Sequence, residues 1–150
     1  MYSRILVPVD GSAASLKGLG EAVKLAKATG ATLRVVHVVN ELVLDAGYFP
    51  ANHYEQLIAS LREQGKQVLA QAVGAVREQG MNAESDLVET LGGTAATSIL
   101  EAAKAWGTEL IVMGTHGRRG LLRLAMGSDA EMVLRSSPVP VLLVRADPVG

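Results

Sequence analysis

Cysteine is absent from this 150-residue chain. That excludes disulfides, thiolate catalysis and cysteine-based zinc sites, and it is compatible with a reducing compartment. Long apolar runs are missing as well. The first such stretch, Ile5-Leu6-Val7-Pro8-Val9, is interrupted by proline and ended by Asp10. It falls far short of a secretory core or of the roughly 20 residues that span a bilayer. The expectation is a cytoplasmic protein with no membrane partner. Neither sign of charge dominates: the formal net charge is −1. A nucleic-acid binder usually carries a clustered basic face. The only basic cluster, Arg118, Arg119 and Arg123, is too small for that, so no nucleic-acid partner is expected. The histidines, His37, His53 and His116, share no helical or strand spacing suited to one metal ion. Internal repeats, low-complexity tracts and linkers are also lacking, which predicts one domain over residues 1–150.

What is present is a globular composition, 49% apolar and 19% charged, in a length that buries a real core without staples. Strand and helix patterns alternate. Residues 4–9 form a short β-branched run, the first strand. Ser12 can cap a helix whose apolar face runs Leu16, Leu19, Val23, Ala26 before Gly30 stops it. Residues 32–39 are a valine-rich strand. Residues 40–53, with Gly47 and Pro50, break both periods and read as a loop. The next helix puts Leu57, Leu61, Val68, Ala72 and Val76 on one face and ends at Gly80. Residues 83–89 make a weak strand, 94–106 a helix after Gly92-Gly93, and 110–113 a fourth strand. Residues 127–136 are a last helix and 139–144 a fifth strand. This alternation implies a parallel sheet with helices on both faces. The third strand is polar enough for an edge; the fifth is apolar although it comes last.

The segment Gly114-Thr115-His116-Gly117-Arg118-Arg119-Gly120 follows the fourth strand directly, and Gly127-Ser128 stands where the last helix begins. Glycines let backbone amides approach a phosphate, and a helix N-terminus offers unpaired N–H groups with a favourable dipole. Strand end, glycine loop and helix start together make an anion cradle. Any one of these glycines alone could serve only a tight turn. Other nucleotide motifs are missing: no glycine run ends in Gly-Lys-Ser or Gly-Lys-Thr, and Asp10-Gly11-Ser12 lacks the dinucleotide fingerprint. If phosphates bind, they bind after the fourth strand.

The spacing Gly-two-Gly-nine-Gly-Ser, filled by Gly114, Gly117, Gly127 and Ser128, resembles that of ATP-binding universal stress proteins. So do residues 4–12, Val36-His37-Val38-Val39 and Pro140-Val141-Leu142-Leu143-Val144; the resemblance covers essentially the whole chain. It implies an open parallel five-stranded sheet of order 3-2-1-4-5, the adenine nucleotide α-hydrolase-like fold. The switch point then lies between strands 1 and 4, where open α/β sheets take their ligands. It further implies that Pro8, Val9 and Asp10 line the nucleotide and that Val38 lies at the adenine edge. Met113 and Gly114 contact base and ribose, while His116, Gly117, Arg118 and Arg119, with Gly127, Ser128 and Asp129, surround the phosphates. Asp129 stands where a small or apolar residue is usual, and its carboxylate repels phosphate unless it faces away or meets a metal. Ala95 replaces a frequent proline and Glu109 a frequent aspartate; both are expected to touch packing rather than the site.

Single residues leave choices open. Asp10 can meet a nucleotide-bound magnesium or accept from the ribose; it can also cap the first helix. His37, inside a valine strand, reads as a hydrogen-bonded core histidine. Trp106 ends an apolar helix face and reads as core. For His116 a ligand role and a solvated one are equally open, as are lid and crossover for the 40–53 loop with Tyr48 and Phe49. The functional expectation is an ATP-binding regulatory protein acting as a homodimer. Its alternatives are a slow ATPase or phosphoryl-transfer enzyme and a nucleotide-free dimeric module. Fast phosphoryl transfer needs a cationic clamp, a carboxylate pair and a base, and no convincing base is in the sequence. A receiver domain would need an acidic pair near the first strand, which is lacking. The apolar fifth strand, at a sheet edge in that order, predicts two-fold pairing through Val141, Leu142, Leu143 and Val144.

Overall fold

A computed structural model of the chain describes residues 1–40, 51–90, 92–115 and 128–146. The elements run β1 (Arg4–Pro8), α1 (Ala13–Thr29), β2 (Thr32–Asn40), α2 (Ala51–Glu78), β3 (Ala83–Thr90), α3 (Ala95–Trp106), β4 (Leu110–Thr115), α4 (Ser128–Ser136) and β5 (Val141–Arg145). All strand pairings are parallel, in the order β3-β2-β1-β4-β5. Most boundaries shift by a residue, and β4 runs two residues past expectation to Thr115, which takes Gly114 into the strand. The second helix begins at Ala51, inside the stretch read as loop, and β5 begins at Val141, because Pro138 and Pro140 have no N–H for a ladder.

Period-two alternation sorts the central side chains between two cores. Ile5, Val7 and Val9 pack with Leu33, Val35, Leu110 and Val112 against Leu19 and Val23 of α1 and Leu69 and Val76 of α2. Leu6, Val36, Ile111 and Met113 point the other way, against Ala96 and Ile99 of α3 and Ala130 and Val133 of α4. Central strands are therefore sealed on both faces, with Ile5, Leu6 and Val7 fully buried. Each such side chain contributes on the order of 1.5–3 kcal/mol. On α2 the inward face is carried by Ile58, Leu69, Ala72 and Val76, so Ile58, not Leu57, leads it. Ser12 caps α1 as the sequence suggested, its hydroxyl accepting from Ser15 N, and Gly30 closes that helix in the left-handed conformation.

The polar β3 takes the edge position. Arg34 bridges to Glu84 at 2.6 Å and Arg62 of α2 to Glu89 at 2.7 Å, tying this strand to both neighbours. At the sheet's N-terminal end the Glu109 carboxylate accepts from the backbone N–H groups of Ser3 and Arg4, joining the starts of β4 and β1. Trp106 packs against the second core, as its helical position suggested, but only from its margin. It is half-buried, with the Arg34 guanidinium 4.7 Å and that of Arg4 5.9 Å from the ring centroid. An indole whose rim is exposed still gains from stacked cations.

Candidate functional site

β1 hydrogen-bonds β2 on one side and β4 on the other, so the chain leaves the C-terminal ends of β1 and β4 in opposite directions. The gap that opens there is a cavity of about 320 Å³. It is floored by Pro8, Val9 and Asp10 from the end of β1 and by Met113, Gly114 and Thr115 from β4. Val36, His37 and Val38 wall it from β2, Ala95 and Ile99 from α3, Ser12, Ala14 and Ser15 from α1, and Ser128, Asp129 and Ala130 from α4.

The turn out of β1 is built locally. Gly11 has φ +85, a conformation side chains rarely adopt, and it lets the chain swing from strand to helix. The Asp10 carboxylate accepts from Ser12 N at 2.9 Å, so it closes the turn before the helix while Ser12 provides the cap itself. Asp10 is nevertheless exposed at the cavity. Asp10 therefore does not cap α1, the second role the sequence left open; it closes the turn ahead of the cap and lines the cavity.

Gly114 lines the cavity and also packs against α1. A Cβ on Gly114 would overlap the carbonyl of Ala14 in α1, so the missing side chain lets helix and strand touch. The phosphate cradle proper would fall to the residues that follow. His116, Gly117, Arg118, Arg119 and Gly127 lie outside the described residues, as does the loop carrying Tyr48 and Phe49. α4 begins at Ser128 beside the cavity, and its first turn presents backbone N–H groups without intrahelical partners. Its first turn also carries Asp129 and Glu131.

Pro8, Val9, Asp10, Val38, Met113, Gly114, Ser128 and Asp129 are thus brought together as the sequence implied. Others were missed. Ala95 lines the cavity instead of serving packing alone, and His37, read as a core histidine, is half-buried on the wall. It is hydrogen-bonded as expected, its Nδ1 2.8 Å from Val9 O. Glu109 sits at the far end of the sheet, as anticipated. Among the described residues no group of three or more His, Cys, Asp or Glu side chains is placed to hold a metal ion. Nor is any described helix long and apolar enough to cross a membrane.

A family model described as the universal stress protein family matches residues 1–145. Universal stress protein YxiE of Bacillus subtilis is 34% identical over 151 residues, covering 97% of this chain and 100% of the relative. A solved structure of a universal stress protein family member from Burkholderia pseudomallei is 34% identical with a TM-score of 0.77, covering 95% of this chain and 96% of that one. The universal stress protein from Archaeoglobus fulgidus in complex with dAMP is 26% identical with a TM-score of 0.68, covering 95% of this chain and 98% of that one.

Proposed function

The chain belongs to the universal stress protein family, and we propose that it is a single-domain regulatory protein of the cytoplasm that holds ATP in the cavity beyond β1 and β4. One observation carries the reading. The positions that the family pattern assigns to base, ribose and phosphate, insofar as they are described, line one cavity of about 320 Å³, a size suited to a small-molecule ligand. Apolar Val36, Val38, Ile99 and Met113 offer a base its faces. Ser128 and the start of α4 lie where an anion is favoured. The dAMP complex of the Archaeoglobus fulgidus protein supports an adenine nucleotide as the ligand class.

Magnesium fits this site only as an ion carried by the nucleotide. Asp10 and Asp129 are its described carboxylates, and magnesium is commonly held by one or two carboxylates together with substrate phosphates. Bound there, the ion would neutralise phosphate charge, with Asp10 as the protein's contact.

The same reading makes the protein a homodimer through β5. Among the described strands it pairs with β4 alone. Beside it Leu25, Leu142, Leu143 and Val144 line a groove with Glu21 and Lys24, and Leu142 is 38% exposed. An apolar edge of this kind favours an antiparallel second copy.

Heating the purified protein and identifying the released nucleotide by chromatography tests the binding reading. ATP is the expected product. ADP alone would favour a slow ATPase, and an empty protein that also fails to take up added ATP would favour a nucleotide-free module.

A further inference from the structure

The peptide that carries Asp10 into the cavity is held at both ends. Its carbonyl oxygen, Val9 O, lies 2.8 Å from His37 Nδ1, and its N–H donates to Ser15 Oγ at 3.3 Å. A carbonyl only accepts, so Nδ1 bears the proton and the neutral ring is the Nδ1–H tautomer. Ser15 is itself fixed, because its hydroxyl donates to Ser12 O at 3.1 Å and the residue is buried. One peptide upstream, Val9 N donates to Val36 O at 2.8 Å.

His37 is held in turn from α2. Gly65 of that helix is buried against it: a Cβ there would lie 2.8 Å from His37 Cδ2 and 2.7 Å from Leu87 Cδ1. The imidazole therefore fills the space a side chain at position 65 would need. Leu87 stands opposite His37 in the β2–β3 register, which closes the other side.

We propose that His37 is a positioning residue of the nucleotide site, setting through the Val9–Asp10 peptide where Asp10 stands over the cavity. The role rests on the nucleotide-binding reading above. It requires no contact between the ring and the ligand. It requires a donor at the place of Nδ1. Asparagine puts its amide nitrogen near that place, glutamine near the place of Nε2, and leucine offers no donor at all.

The test is calorimetric titration of the full chain with ATP, alongside thermal unfolding of each variant. His37→Leu and His37→Gln are expected to bind at least ~10-fold more weakly, and His37→Asn within about 3-fold of the parent. All three lose the ring's packing, so a merely structural role would make affinity follow stability and leave His37→Asn as weak as His37→Leu. That outcome overturns the proposal, as does a folded His37→Leu of native affinity. Should the position-37 variants not fold, Gly65→Ala drives a methyl group against the ring. Weakened ATP binding is then expected, and native affinity overturns the proposal. A parent protein that binds no adenine nucleotide defeats the nucleotide reading itself, a result distinct from any pattern among the variants. Nitrogen-detected NMR of the His37 ring needs no ligand: Nδ1–H is expected, and an Nε2–H tautomer sinks the clamp.

Discussion

Gly18 of α1 and Gly114 of β4 meet backbone to backbone. A Cβ on Gly18 would lie 2.8 Å from Gly114 N, and one on Gly114 would overlap the Ala14 carbonyl. Two residues along the same helix, a Cβ on Gly20 would meet nothing within 4 Å. Opposite responses to the same substitution follow. Gly18→Ala is expected to destabilise by about 1–3 kcal/mol, since backbone cannot yield as a flexible side chain does. Gly20→Ala is expected to stabilise by up to ~1 kcal/mol, because glycine in a helix interior is costly. Urea unfolding of the two variants checks this. Equal changes in midpoint would contradict the contact.

Glu109 makes stability depend on acid. Its carboxyl is held below its ordinary 4.5 chiefly by the Ser3 N–H, with help from the Arg4 N–H and from the positive charges of the N-terminus and Arg4; desolvation pushes the other way. A folded-state value below the unfolded one contributes stability that is complete above pH 4.5 and is lost as the pH falls through the lowered value. Glu109→Gln should therefore be less stable than the parent at neutral pH, with the difference closing below pH 4.5. Unfolding midpoints that run parallel across this range would refute the assignment.

Asp129 places a like charge where phosphate is proposed to lie. Two unit charges 4 Å apart in water repel by about 1 kcal/mol, so Asp129→Asn should tighten ATP binding by roughly 5-fold at low ionic strength. The gain should shrink as salt rises, the screening length being about 10 Å at 0.1 M. Titrations at low and high salt decide the point. A variant no tighter than the parent at low salt would mean that the carboxylate faces away from the ligand.

The β5 edge predicts association. Light scattering coupled to gel filtration should give a dimer for the native chain at micromolar concentration. Leu142→Lys combined with Val144→Asp should yield a folded monomer, since lone charges on an apolar edge block strand addition. A native monomer, or a folded double variant that stays dimeric, would defeat the edge-pairing proposal.

Much of this architecture was legible because the informative residues act locally. The apolar runs in β1, β2 and β4 announce strands buried on both faces. Ser12 and Gly30 mark the ends of α1 by cap chemistry alone. The cavity residues at strand ends, Asp10 and Gly114 among them, could be named because the family motif points to them. Ala95, Ser15 and His37 could not, since their membership depends on which strands and helices become neighbours across the sheet. His37 did leave a signal, a lone polar side chain within Val35-Val36-His37-Val38-Val39. A half-buried bond to its own sheet and a place on the cavity wall are the same position seen from two sides. Gly114 shows the converse: the motif pointed to it as a cavity residue, but the room its absent side chain leaves for α1 depends on a helix packed across the sheet.

The clasp between Glu109 and the backbone of Ser3 and Arg4 also orients the molecule for the experimenter. Because every strand runs parallel, β1 starts at the end of the sheet opposite the cavity. A purification tag, fluorophore or surface tether joined ahead of Met1 would emerge there, leaving the cavity end facing solution. The attachment point would lie two residues from the Glu109 clasp, so a short flexible spacer ahead of Met1 keeps load off it in any immobilised form of the protein.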